Sequence, residues 1–158
     1  MAILADLPFI HMQTFAATER IERRLSRLSR QQRSSEHSRR IVDEIASEAV
    51  RLRQQLNSYY ARERQELFPR VERIFGAQID EISELSRYQE LILSSLDRFI
   101  AELNHDDGAD IQGYRAGSAY LGHLFGEFLG RYEERCNIER FFYESYSTIL
   151  YPGGVSTD

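Results

Sequence analysis

Tyr59 and Glu63 stand four residues apart, and so do Arg135 and Glu139. On a helix that spacing puts the two members of each pair on one face, one turn apart. Both pairs fall inside runs of apolar residues that recur every three or four positions. Tyr88 and Thr18 interrupt two further runs in the same way. A carboxylate withdrawn from water is costly unless it is paired or holds a metal ion. Glu63 and Glu139 therefore need a partner if they face a core. Otherwise they sit at the edge of their stripes and reach water.

The remaining titratable residues form no familiar constellation. The four histidines are His11, His37, His105 and His123, and none makes a close H-x-x-x-H or H-x-x-E-H pair. His37 and Glu63 are twenty-six residues apart on one helical run, about 39 Å at the helical rise. His123 and Glu127 are four apart and could share a hydrogen bond or a metal. They lie well before Glu139, so that site would be a separate one. His105 belongs to an acidic loop with Asp106, Asp107 and Asp110. That loop lacks the alternation and terminal glutamate of a calcium loop. No nucleophile is fixed beside a base, so no catalytic residues are assigned. Cys136 is the single cysteine; it has no disulfide partner and reads as a small buried residue.

The elements that must position these residues are four amphipathic helices. The first spans about 10–32, with Thr18, Ile21, Leu25 and Leu28 on one face. Arg23, Arg24, Arg27 and Arg30 surround that face, as a solvated basic surface or a surface for an acidic partner or anionic lipid. The second starts after Ser34 and Ser35, where a serine can cap free N–H groups. Its stripe runs Ile41, Ile45, Ala49, Leu52, Leu56, Tyr59, Glu63, Leu67, with Pro69 near the end and Gly76 as a stop. The third covers about 78–104, with Ile82, Leu85, Tyr88, Ile92, Leu96, Phe99 and Leu103 inward. The segment 104–113 reads as the longest loop. The fourth helix covers about 114–149, and Leu121, Phe125, Phe128, Tyr132, Arg135, Glu139, Phe142, Tyr146 and Ile149 make a seven-residue repeat. The expected fold is all-α, an antiparallel four-helix bundle in one domain over 1–150 with a loose tail at 151–158.

Composition narrows the function classes. With 158 residues and 42% apolar content, the chain suits one globular domain. All twenty basic residues are arginine, which excludes lysine Schiff-base chemistry and a Walker-type phosphate loop. Residues 1–40 hold eight Arg against four acids, and residues 41–158 hold twelve against twenty-one. Such a balance argues against general nucleic-acid binding. No apolar run spans a membrane, and no secretory signal opens the chain. The expected location is the cytoplasm.

The segment Tyr59-Tyr60-Ala61-Arg62-Glu63-Arg64-Gln65-Glu66-Leu67-Phe68-Pro69, together with Arg135-Cys136-Asn137-Ile138-Glu139, resembles the hemerythrin-like cation-binding family. That family is a four-helix bundle around a non-haem di-iron site, with H-x-x-x-E motifs and a Leu-Phe-Pro segment. Here both glutamates and Leu67-Phe68-Pro69 match. Tyr59 and Arg135 stand where the resemblance puts histidines. The third-helix histidine falls on Tyr88 and the first-helix one on about Thr18. Arginine stays protonated and cannot ligate iron. A family-type site is therefore not expected to assemble. In its place the guanidinium of Arg135 can neutralise Glu63 and Glu139, with the Tyr59 and Tyr88 hydroxyls serving the remaining lone pairs. The candidate pseudo-site is thus Thr18, Tyr59, Glu63, Tyr88, Arg135 and Glu139.

The function expected on these grounds is non-enzymatic: a regulatory or protein-binding module that needs no cofactor, with an unknown protein as partner. The alternative is an iron protein for oxygen or redox sensing, with Glu63, Glu139, Tyr59 and Tyr88 as ligands. A third reading follows from Gly117-Ser118-Ala119-Tyr120-Leu121-Gly122, which resembles the distal helix of haem oxygenases and implies a haem-binding helical enzyme. Close helix packing is the plainer explanation of those small residues.

Overall fold

The structure is a computed structural model that describes residues 2–30, 35–76, 79–105 and 111–146. Among these residues every regular element is helical: α1 (Ala2–Arg30), α2 (Ser35–Arg62), a π-turn (Glu63–Leu67), α3 (Phe68–Phe75), α4 (Asp80–Leu103) and α5 (Ile111–Ser145). α1 packs on α2 and α5, and α4 packs on α2 and α5. Each long helix therefore has two neighbours and turns its apolar stripe toward a shared centre. No helix of the described residues is long and apolar enough to cross a membrane. Asp106, Asp107 and Asp110, Ser34, Ile149 and the 151–158 tail lie outside the described residues.

The stripes are buried where the three-and-four spacing puts them. Ile21, Leu25 and Leu28 of α1, Ile41 through Leu56 of α2, and Leu121, Phe125, Phe128 and Tyr132 of α5 all enter the core. Burying a side chain of this size contributes about 1.5–3 kcal/mol. Along α5 the aromatics stack in sequence. Phe99 of α4 lies 5.1 Å from Phe125, Phe125 lies 5.4 Å from Phe128, and Phe128 lies 6.1 Å from Tyr132. Beyond Arg135 and Glu139 the aromatic packing resumes with Phe142 against Phe68 and Tyr146. The polar residues of α5 are thus held between two aromatic layers.

Three boundaries differ from the sequence expectation. α1 starts eight residues earlier than position 10 and runs through Pro8. Pro8 stands in the second turn, where it leaves the carbonyl four residues back without its helical bond and crowds it. Leu7 and Ile10 pack against the core, and Arg62 Nη1 donates to Asp6 Oδ2 at 2.9 Å. α5 begins at Ile111 rather than near 114, so Gly113 is helical. The second helix does not run evenly to Pro69. Pro69 has no N–H for the carbonyl of Gln65, and its ring would crowd that oxygen. The chain widens just before it: the N–H of Phe68 donates to the Glu63 carbonyl, five residues back, and closes the π-turn. The turn buries Glu63, Leu67 and Phe68, and Val71 follows in α3.

The arginines of α1 are partly committed to α2. Arg20 grips Glu48 with Nε and Nη2 at 3.0 and 3.2 Å, and Arg24 Nε reaches Glu44 at 3.3 Å. Arg23, Arg27 and Arg30 stay exposed. Gly117 and Gly122 leave open space where a Cβ would stand. Close helix approach therefore does not explain the two glycines, although Ser118 between them is buried.

α3 stops at Gly76, whose φ of +67° is left-handed, with its N–H bonded to the Glu72 carbonyl. A side chain there is strained even though the space is open. Gly76→Ala is expected to cost about 1–2 kcal/mol. Gly130→Ala, inside α5 with open space around it, is expected to stabilise by about 0.5–1 kcal/mol. Urea unfolding of both variants checks the opposite signs.

Candidate functional site

The centre of the site is a buried cation. Arg135 is 2% exposed and is among the largest fully buried side chains. It shares a face of α5 with Glu139 and Tyr143, at spacings of four. Its Nη1 donates to Glu139 Oε1. Its Nη2 donates to Glu63 Oε1 at 2.5 Å. The π-turn before Pro69 supplies Glu63, which is fully buried. The guanidinium carbon lies 4.5 Å from the centre of the Tyr60 ring, over its negative face. One arginine thus serves two carboxylates from different helices.

A second layer supplies further hydrogen bonds to the carboxylates, while the buried Arg135 Nε has no hydrogen-bond partner of its own among the described residues. Gln89 of α4 donates from Nε2 to Glu63 Oε1 at 3.3 Å, and its Oε1 accepts from Arg64 Nη1 at 2.8 Å. Tyr143 donates to Glu63 Oε2 at 3.5 Å, and its hydroxyl lies 3.4 Å from that of Tyr59. On the other side His11 of α1 places Nε2 2.9 Å from Glu139 Oε2. The network therefore draws a residue from each of the four long helical runs.

Burial sets the protonation chemistry. It pushes the Glu63 carboxyl upward, against the opposing pull of Arg135, Gln89 and Tyr143. It works to discharge Arg135, but the negative Glu63 overcomes it, and the guanidinium holds its proton more firmly than usual. It raises Tyr59 and Tyr60 far above the ordinary phenol range. His11 is lowered by burial and by the charge of Arg135. Burial pushes the Cys136 thiol up, against Tyr132 and Arg135.

Of the six residues proposed from sequence, the structure brings together Tyr59, Glu63, Arg135 and Glu139. Two lie elsewhere. Tyr88 packs half-buried at the edge of the core, and its hydroxyl points away from the site and donates to Glu134 at 2.8 Å. Thr18 is buried, but its hydroxyl donates to the Phe15 carbonyl within α1. Gln89 and His11 occupy the positions assigned to them. From Leu85 to Ile92 a stripe can pass through 88 or 89 with the same spacings; the inward choice is 89. His11 lies two turns before Thr18 on the same face, inside the expected helix, but the regular apolar stripe begins only at Thr18. Tyr143 follows Glu139 by four, the signal that would have found it. Tyr60 carries no such signal. His123 is exposed beside Glu127 at 3.4 Å, and His105 is exposed.

The donor set does not fit a di-iron centre. The guanidinium of Arg135 spans the gap between Glu63 and Glu139, and it has no lone pair to offer. The core phenols resist ionisation, and the Tyr88 hydroxyl is engaged by Glu134 away from the site. Compared with family models, curated proteins and solved structures, the chain matches none.

Removing Arg135 leaves two buried carboxylates unpaired. Arg135→Ala is expected to cost about 3–5 kcal/mol. Combining Arg135→Met with Glu63→Leu and Glu139→Leu is expected to cost less, because no uncompensated charge remains. Denaturant unfolding gives the order. His11 supplies the pH dependence. With its folded pKa below the ordinary 6.5, the unfolded chain binds more protons in the window between the two values. The stability that neutral His11 contributes is complete above 6.5 and is lost as pH falls toward the folded value. Melting temperature measured in chelator from neutral to mildly acidic pH should fall less steeply for His11→Gln.

Proposed function

We propose that the chain is a hemerythrin-like, antiparallel four-helix bundle whose core ion network stands in place of a metal centre, and that it works as a non-enzymatic regulatory or protein-binding module. The antiparallel order draws support from contacts between neighbours. Asp6 meets Arg62 while Arg24 meets Glu44. Tyr88 meets Glu134 while Arg98 meets Glu127. In each case rising numbers on one helix face falling numbers on the other.

The observation that carries the reading is the guanidinium of Arg135 between Glu63 and Glu139. A cation fixed in the chain does the electrostatic work that a metal would do, and it offers no redox chemistry. A binding role draws support from α1, where Phe9, Met12 and Phe15 recur at spacings of three and are at least half exposed. An iron protein with Tyr59 and Tyr88 ligands runs against the Tyr88 hydroxyl, which points away from the site to Glu134.

Iron analysis and an optical spectrum of protein purified without chelator test the proposal. The expected result is iron far below one equivalent and no tyrosinate-to-iron band. About two irons per chain would overturn it. The binding role is checked by crosslinking in lysate. Crosslinks are expected at the Phe9, Met12 and Phe15 face, and they should vanish in Phe9→Glu with Met12→Glu.

A further inference from the structure

We propose that His11, Cys136 and Glu139 form a mononuclear site for a thiophilic divalent cation of the zinc type. The imidazole nitrogen, the thiol sulfur and a carboxylate oxygen all lie within 4.8 Å of one another. Cys136 and Glu139 are three apart on α5, so they share a face. His11 comes from α1, directly across from them. The site is independent of the regulatory reading, and a bundle of any function could carry it.

The donor chemistry selects the ion. Nitrogen, sulfur and oxygen in one set suit zinc and cobalt, whereas calcium and magnesium demand oxygen alone. Tetrahedral zinc with ordinary bond lengths sets its donors about 3.4–3.6 Å apart. His11 and Glu139 are already closer than that, at 2.9 Å. Cys136 needs a shift of about 1 Å, within the reach of a side-chain torsion. Three protein donors leave a fourth position for water or an outside ligand, the open form of such a site.

Glu139 is prepared for this role. Its Oε1 is held by Arg135, which leaves Oε2 to face His11. A hydrogen-bonded carboxylate presents one fixed oxygen to a metal. The charge also balances. With both carboxylates ionised, Glu63, Glu139 and Arg135 sum to −1, and a Cys136 thiolate makes −2. A divalent cation brings the cluster to zero. His11 and Cys136 are only half-buried, so the ion has an approach from solvent.

Cobalt is the informative probe, because a thiolate bound to cobalt(II) absorbs in the near ultraviolet. Cys136 is the sole cysteine of the chain, so that band reports this site alone. The full chain, stripped of metal and kept reduced, is titrated with cobalt(II) and then with zinc(II). The expected result is about one equivalent of cobalt per chain, with the thiolate band present and then lost on zinc addition. Cys136→Ser should abolish the band and weaken cobalt binding by more than about tenfold, with an unchanged metal-free melting temperature. No uptake, uptake without the band, or unchanged affinity in Cys136→Ser would overturn the site. Should Cys136→Ser fail to fold, His11→Gln carries the same test: undiminished affinity there also overturns it.

Discussion

A guanidinium withdrawn from water must be answered by negative charge, and Arg135 is answered twice. That requirement reaches all four long helical runs. Glu63 has to enter from the second run, so the π-turn has to place it there. Gln89 has to come from α4, because the second lone pair on Glu63 Oε1 would otherwise be left short. His11 has to come from α1 to meet the far oxygen of Glu139. An apolar core of the same volume would hold the helices together at least as firmly. What the charges add is a constraint on alignment, since a slip of the second run against α5 would strand a buried charge. The aromatic layers on either side of Arg135 keep water from the centre of the network and raise the stakes of each bond there, while His11 leaves one side half-open.

Pro69 connects the local chain to this centre. A proline in a helix usually kinks or breaks it. Here the disturbance is absorbed as one widened turn, and the helical path continues into α3 with right-handed backbone angles at Arg62, Leu67 and Phe68. The turn carries Glu63 inward at its first position and Leu67 at its last. The residue with the most demanding electrostatics thus sits in the one irregular turn of the described helices.

The helices and their inward faces were legible because burial repeats every three or four residues. Arg135, Glu63 and Glu139 were legible for a sharper reason. A charged residue on an apolar stripe is a contradiction that only a partner resolves, and the chain offers opposite charges at matching places. Gln89 was not legible. Residues 88 and 89 satisfy the spacing equally, and hydrophobicity favours tyrosine for the interior. The choice is made by Glu63, which needs an amide donor from α4, and by Arg64, which needs the amide oxygen. Both are contacts across helices, invisible to a pattern along one of them. His11 was not legible because the apolar stripe of its helix becomes regular only from Thr18, and its partner Glu139 lies on another helix.

Glu139 shows how one side chain can join cohesion to recognition. Its two oxygens point to different neighbours: Oε1 to a permanent cation within its own helix, and Oε2 to an imidazole from another. The first contact is fixed, because arginine does not lose its charge at any physiological pH. The second can change, because an imidazole can gain a proton or exchange its hydrogen bond for a metal. Anything that alters His11 or Cys136 therefore acts on Glu139 from the half-buried side while Arg135 keeps it anchored from the core. The consequence falls on the packing of α1 against α5. α1 also carries Phe9, Met12 and Phe15 on its exposed face. A change in charge or ligation at the rim of the core thus has a short physical route to that apolar surface.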